Sequence, residues 1–287
     1  MSPIALASLM MVASGSIHAI VNAIVKGGRE TGGRGPVLGS IMAARAMTDG
    51  ASAAILLPAV LLVPPPTGAW GWLAASAAVH VVYLYTMIRA YAAADFSAAY
   101  PAMRGVAPLM TAVVSIGLLG EMASPTALAG IALIGGSLLA LVVGRHLGRA
   151  ALGWALVTGA MTALYTVIDA HGVRAAPDVT SYIVWDFVLI GTQSVVMFAL
   201  LTRGAVFGAM RAQWRPGVIA GALSIVTYGL ALAALALGPT APLAALRETG
   251  MVTALILSVV VLRERVTPRR AGAVLGILAG AGLILAG

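Results

Sequence analysis

The sequence predicts an all-α integral membrane protein: ten transmembrane helices arranged as two inverted five-helix repeats. Three observations carry this. Of 287 residues, 61% are hydrophobic and only 9% charged, with a mean hydropathy of +1.02. Soluble domains carry about 45–50% apolar and ~25% charged residues, so a soluble enzyme is excluded, and disorder with it. Apolar stretches of spanning length, about 20 residues, recur along the whole chain. Finally, the two halves superimpose when the sequence is shifted by 143 residues.

The segments run near 3–25, 37–62, 70–92, 98–119, 125–143, 151–171, 180–202, 216–237, 240–262 and 269–286. The first is longer than a signal-peptide core and lacks a preceding basic residue, so it reads as a retained span. The breaks use turn chemistry: Gly27-Gly28-Arg29-Glu30, Pro64-Pro65-Pro66 and Gly238-Pro239. Spans five and ten open on Ser124-Pro125 and Thr267-Pro268, an N-cap followed by proline at the first helical position. The 34 glycines suit close helix packing in lipid, Gly15-Ser16 and Gly135-Gly136-Ser137 among them.

Under the 143-residue shift Arg104 falls on Arg247, Ser115 on Ser258, Glu121 on Glu264, Pro125 on Pro268 and Tyr85 on Tyr228. From 97 to 125 the pairs are identical at 7 of 29 positions, and charged residues in apolar helices are among them. Repeats of 1–143 and 151–287 with an odd number of spans each must insert in opposite senses, an architecture frequent in secondary transporters. Glu121 and Glu264 read either as coupling carboxylates or as partners of backbone donors or a loop arginine such as Arg263 or Arg265. Their membrane-edge depth favours the second reading.

The net charge of +8 orients the helices and does not point to nucleic acid, since no basic run is interleaved with aromatics. Twelve cations fall in loops 1–2, 5–6, 7–8 and 9–10, and one, Arg174, in the opposite loops. By the positive-inside rule both termini lie outside. The absence of cysteine excludes disulfides and thiolate metal sites. No phosphate loop, metalloprotease or nucleophile-elbow motif is present, so no enzyme activity, cofactor or metal is expected.

Ionisable residues inside spans are expensive and default to functional sites. His18, Asn22 and Lys26 share one helical face, as do His80 and Tyr83. His18 and Asn22 could equally join neighbouring helices. Arg45 and Asp49, four apart, are expected to pair; Arg89 is expected to snorkel to the interface. Tyr165 and Asp169 lie in span six, Asp186 and Gln193 in span seven, and His146 and His171 read as solvated loop ends. Arg104 follows a stretch with Pro101, Gly105 and Pro108 around it, and Arg247 follows Pro239 and Pro242. These prolines are expected to interrupt both helices. Each arginine fits a substrate carboxylate or phosphate, or a structural ion pair such as Arg247 with Glu248.

These features resemble the drug/metabolite transporter superfamily, specifically its EamA type, over the whole chain. Ile17 to Lys26 resembles the His-Ala-x-Trp-Asn start of one bacterial subgroup, with Val21 in place of tryptophan. Asp95-Phe96-Ser97-Ala98-Ala99-Tyr100-Pro101-Ala102-Met103-Arg104-Gly105-Val106-Ala107-Pro108 and the run Leu164 to Arg174 are similar to that subgroup's motifs. The resemblance implies a central cavity between spans one, three, four, six, eight and nine. His18, Asn22, His80, Tyr83, Tyr100, Arg104, Tyr165, Tyr228, Arg247 and Glu248 would line it. It also implies a multi-pass protein of the bacterial inner membrane and, as in many members, cytoplasmic termini, opposite to the loop count. The expected function is secondary-active carriage of a small polar or amphipathic metabolite by alternating access, outward and driven by a proton or substrate gradient. The lipid bilayer and a small-molecule substrate are the expected partners, with a monomer or homodimer as the assembly. The alternative is a non-transporting sensor or assembly partner with structural arginines.

Overall fold

The computed structural model describes residues 1–31, 37–144, 147–260 and 266–287. The loop residues Arg145, His146, Arg263, Glu264 and Arg265 and the side chains of Lys26 and Arg29 lie outside the described residues. The helices are α1 (Pro3–Thr31), α2 (Val37–Leu56), α3 (Trp70–Ala93), α4 (Phe96–Leu119), α5 (Pro125–Ala140), α6 (Arg149–Ala175), α7 (Val179–Leu201), α8 (Val206–Ala212), α9 (Trp214–Leu235), α10 (Thr240–Leu246), α11 (Gly250–Val260) and α12 (Pro268–Ala286). A 3-10 turn, Leu57–Leu61, extends α2, and another, Arg247–Thr249, joins α10 to α11. No strand occurs among the described residues.

Among the described residues seven helical stretches are long and apolar enough to cross a membrane: α1, α3, α6, α7, α9, α10–α11 and α12. At 16 residues α5 is apolar but short. The runs of α2 and α4 are interrupted by Arg45 and Asp49, and by Pro101, Arg104 and Pro108. The outer surface carries leucine and valine, with Leu61, Leu200, Val143 and Leu275 largely exposed, while alanine dominates the interior. This inverts the soluble arrangement and suits a lipid surround. The chain is multi-pass in the membrane.

Two caps behave as expected from sequence. Ser124 accepts from the Ala127 N–H at 3.1 Å and Thr267 from the Arg270 N–H at 3.3 Å, each ahead of a proline that needs no partner. The short helix α8 lies where a loop was expected. Pro101 and Pro108 do not break α4, which is helical from Phe96 to Leu119. Proline removes one donor to the residue four before it, so Pro108 leaves the Arg104 carbonyl without its helical bond. Packing of neighbouring helices holds the segment straight enough to remain one helix.

Close approach fixes two glycines. A Cβ on Gly15 would sit 2.1 Å from the Arg247 carbonyl oxygen, so α1 lies directly against the 3-10 turn. Gly130 of α5 meets Gly280 of α12 the same way, at 2.5 Å. Gly135 packs on Leu109, whereas Gly136 faces open space.

The core forms two apolar layers. One contains Met11, Leu73, Ala112, Ala170, Val173, Tyr182, Leu235, Leu246 and Ile277. The other contains Ala46, Leu84, Met103, Ala155, Phe198 and Val206. On α3, α4, α6 and α7 several intramembrane polar residues fall between stretches belonging to the two layers. His80 thus lies between Leu73 and Leu84, Thr162 and Thr166 between Ala155 and Ala170, and Asp186 between Tyr182 and Phe198. A polar zone at middle depth follows from this alternation along each helix.

Candidate functional site

The polar zone holds a small, partly open cavity. Its charged residues are Arg104, Arg247 and Glu248, with Thr111, Thr162, Thr166 and Tyr228 beside them. Met11, Pro108, Ala231 and Leu235 supply apolar wall. Four of the sequence-expected site residues therefore border the cavity: Arg104, Tyr228, Arg247 and Glu248.

Arg104 Nε stands 2.9 Å from Glu248 Oε2, an ion pair between α4 and the 3-10 turn. The contact is close but is not aligned as a hydrogen bond, and neither atom has another partner. Arg104 also lies 6.0 Å from the Tyr100 ring centre. Glu248 thus pairs with Arg104 on another helix and not with its neighbour Arg247, one of the partners open from sequence. The reason is geometric: adjacent residues on a helical turn point apart, whereas Arg104 faces the turn from α4.

Arg247 is held by Ser14. Its Nε donates to Ser14 Oγ at 3.1 Å, and its guanidinium lies 5.3 Å from the Tyr228 ring centre. Ser14 in turn donates to the Thr227 carbonyl at 2.6 Å and accepts through its own carbonyl from the Thr227 hydroxyl. This fixes α1 against α9 and places Arg247. Its helix is interrupted at Arg247, as expected from sequence.

The remaining expected residues, His18, Asn22, His80, Tyr83, Tyr100 and Tyr165, do not line the cavity and are placed by other contacts. His80 stacks on Tyr165 with ring centres 4.2 Å apart, and Tyr83 meets Tyr165 edge-on at 5.4 Å. His80 Nδ1 lies 2.9 Å from the Ser76 carbonyl oxygen. Tyr165 meets Tyr228 at 6.5 Å, so an aromatic chain leads from α3 to the cavity wall. Asn22 donates to Tyr100 Oη at 3.2 Å, and His18 is half-buried on the same helix face. Arg45 pairs with Asp49 at 2.8 Å, as expected, and Ser194 also donates to Asp49. Gln193 donates to the Ala77 carbonyl. Tyr85, the repeat mate of Tyr228, faces outward with Arg89, which lies over Trp154 at 5.1 Å.

A second ionic cluster lies at one end of the bundle. Arg174 donates to Glu121 Oε1 at 2.8 Å and to the carbonyls of Leu235 and Gly238 at 2.9 and 2.6 Å. Glu121 also accepts from the Thr240 N–H at 3.0 Å and the Thr240 hydroxyl at 2.9 Å. Burial opposes ionisation of Glu121, but the bonds from Arg174 and Thr240 outweigh it and hold its carboxyl below the usual pKa. Glu121 is thus held by a loop arginine, Arg174, and by a backbone donor, the kind of partners its membrane-edge depth favoured. This latch joins the loop after α4, the end of α6 and the start of α10, and Leu235 itself borders the cavity. Arg174, read from sequence as a lone loop cation, is a structural tie.

Sequence reasoning missed one set of residues and left a second, Asp169 and Asp186, without partners or a role. Thr111, Thr162 and Thr166 are neutral and carry no motif, yet they face the cavity. Asp169 and Asp186 form a buried acidic pair, 0% and 2% exposed. Asp169 accepts from Tyr182 at 2.9 Å and Tyr228 at 2.5 Å, while Asp186 Oδ1 has no partner. His171, expected to be solvated, stacks on Trp72 at 5.2 Å, and its Nε2 is buried without a partner. Its side chain turns inward from the last turns of α6. Among the described residues no group of three or more His, Cys, Asp or Glu could hold a metal ion.

Residues 149–286 match the EamA-like transporter family, a family of membrane transporters. A solved protein, titled only as a crystal structure of a protein, superposes with a TM-score of 0.74 over 97% of this chain and 98% of its own, at 18% identity. That likeness shows a shared fold. No curated protein matches.

Proposed function

We propose that the chain is a secondary-active carrier of a small polar or amphipathic metabolite. It has ten spans in two inverted five-helix repeats, 1–143 and 151–287, and belongs over its full length to the EamA type. The repeats rock against each other around the midplane cavity, exposing it alternately to either side. Transport runs outward across a bacterial inner membrane, driven by a proton or substrate gradient. Both termini and the latch lie outside, and the arginine-rich loops lie in the cytoplasm.

The observation that carries the reading is the ion pair between Arg104 and Glu248. It links the fourth span of one repeat to the ninth span of the chain, beside a cavity placed between two apolar layers. Buried charge at that depth is costly to retain for helix packing alone. His18, Asn22, His80, Tyr83, Tyr100 and Tyr165 extend the site from the cavity wall. Counterflow of a labelled metabolite panel in proteoliposomes tests this. Accumulation of at least one metabolite, abolished by Glu248→Ala, is expected. No counterflow across the panel by a folded protein overturns it.

A further inference from the structure

We infer that the cavity takes a small organic anion, a carboxylate or phosphonate carrying a hydrogen-bond donor on its body. The inference rests on the carrier reading and adds the substrate class. Around the cavity, two guanidinium groups face one carboxylate. Glu248 accounts for Arg104 and leaves Arg247 without a counter-ion among the described residues. Arg247 donates only through Nε, to Ser14, and Arg104 makes no hydrogen bond. The contacts of both guanidinium groups run through Nε among the described residues, and a guanidinium's terminal nitrogens suit planar two-oxygen groups.

A guanidinium cannot discharge itself by losing a proton. The other nearby groups do not supply the missing charge. Tyr228 offers only its ring face, Asp169 is tied to the hydroxyls of Tyr182 and Tyr228, and His18 adds no negative charge. An anion binding between Arg247 and Arg104 therefore balances the cavity.

The threonines set the rest of the ligand. Thr111, Thr162 and Thr166 each donate to the carbonyl four residues earlier, at 2.8, 2.9 and 2.7 Å. Their protons are committed, so towards the cavity they act as acceptors. Met11, Ala231 and Leu235 cover a short apolar body. The cavity is thus donor-rich at the arginines and acceptor-rich at the threonines, which suits a hydroxylated or aminated acid.

The test uses the full chain in nanodiscs, titrated with lactate, its neutral isostere lactamide, 2-hydroxyethylphosphonate and inorganic phosphate. Lactate or the phosphonate should bind at least tenfold more tightly than lactamide. Arg247→Lys, which keeps the charge but not the fork, should weaken binding about threefold to tenfold, and Thr166→Val should weaken it less. Equal response to lactate and lactamide, including none to either, overturns the proposal. Inorganic phosphate binding as tightly as both organic anions overturns the organic part of it. Proteoliposome counterflow separates the two readings. Movement of neutral or cationic metabolites alone defeats the anion assignment and leaves the carrier standing. Anion binding without any counterflow defeats the carrier and leaves the anion site.

Discussion

Cutting the latch should open the cavity towards the face that carries Glu121 and Arg174. The chain has no cysteine, so Thr166→Cys places a single thiol at the cavity wall. Glu121→Ala removes the acceptor of three bonds, from Arg174 at 2.8 Å and from Thr240 at 2.9 and 3.0 Å. A bond to a charged group contributes ~1.5–3 kcal/mol when buried, and an exposed ion pair ~0–1 kcal/mol. The side chains are 30% and 19% exposed, between these limits. The closed form should lose about 1–3 kcal/mol, a shift of ~5–150-fold in the opening equilibrium. The rate at which a membrane-impermeant maleimide labels the thiol from the latch side should rise by that factor. Arg174→Ala should do the same. The double variant should exceed neither by much, since contacting residues couple by ~0.5–3 kcal/mol. Unchanged labelling, or additive effects of the two substitutions, would refute the reasoning. The pH dependence has a fixed sign. A carboxyl with a depressed pKa in the folded state stabilises above its unfolded pKa, and this is lost as pH falls through the lower, folded one. Thermal stability should therefore drop as pH falls below about 4, and Glu121→Gln should lack that component.

Glu248→Gln should destabilise the protein by about 3–5 kcal/mol by leaving Arg104 buried and unpaired, read as a fall in Tm; the Arg104→Met/Glu248→Leu double variant should recover most of the stability but none of the counterflow. Asp186→Asn should change stability by less than ~1 kcal/mol, because the Oδ1 it replaces has no partner. Asp169→Ala should cost about 2 kcal/mol or more by stranding the Tyr182 and Tyr228 hydroxyls. Gly15→Ala should cost ~1–3 kcal/mol and depress counterflow, since its methyl meets the backbone of the turn that carries Arg247. Met122→Cys, 88% exposed beside the latch, should label from outside intact cells; labelling only after permeabilisation would place the termini in the cytoplasm.

The caps at Ser124 and Thr267 and the Arg45–Asp49 pair were legible because each depends on residues within four positions of each other. The partners of Glu121, Arg174 and Glu248 were not. Arg174 lies 53 residues from Glu121, and nothing local distinguishes it from a cation that merely orients a loop. Pro101 and Pro108 misled in the other direction: their local chemistry predicts a break, and packing around α4 overrides it. Glu264 could not be compared with its mate because it lies outside the described residues. The repeat also promised equivalent roles for Tyr85 and Tyr228, yet one faces outward and the other the cavity. A pseudo-symmetric sequence pairs positions, but it does not decide which helix face meets the centre.

Composition and apolar run length alone determined that this chain lives in a membrane as helices, because the bilayer demands internally bonded backbone over about 20 residues per crossing. Charge scarcity also singled out Arg104, Arg247 and Glu248 as worth explaining. Only the tertiary structure decided that Glu248 belongs to Arg104, that Arg247 is left facing the cavity beside three threonines, and that Arg174 ties separate segments together at one end of the bundle. Ion pairing in a water-poor interior is set by which side chains converge in space, and convergence across many tens of residues is a property of packing that no local pattern records.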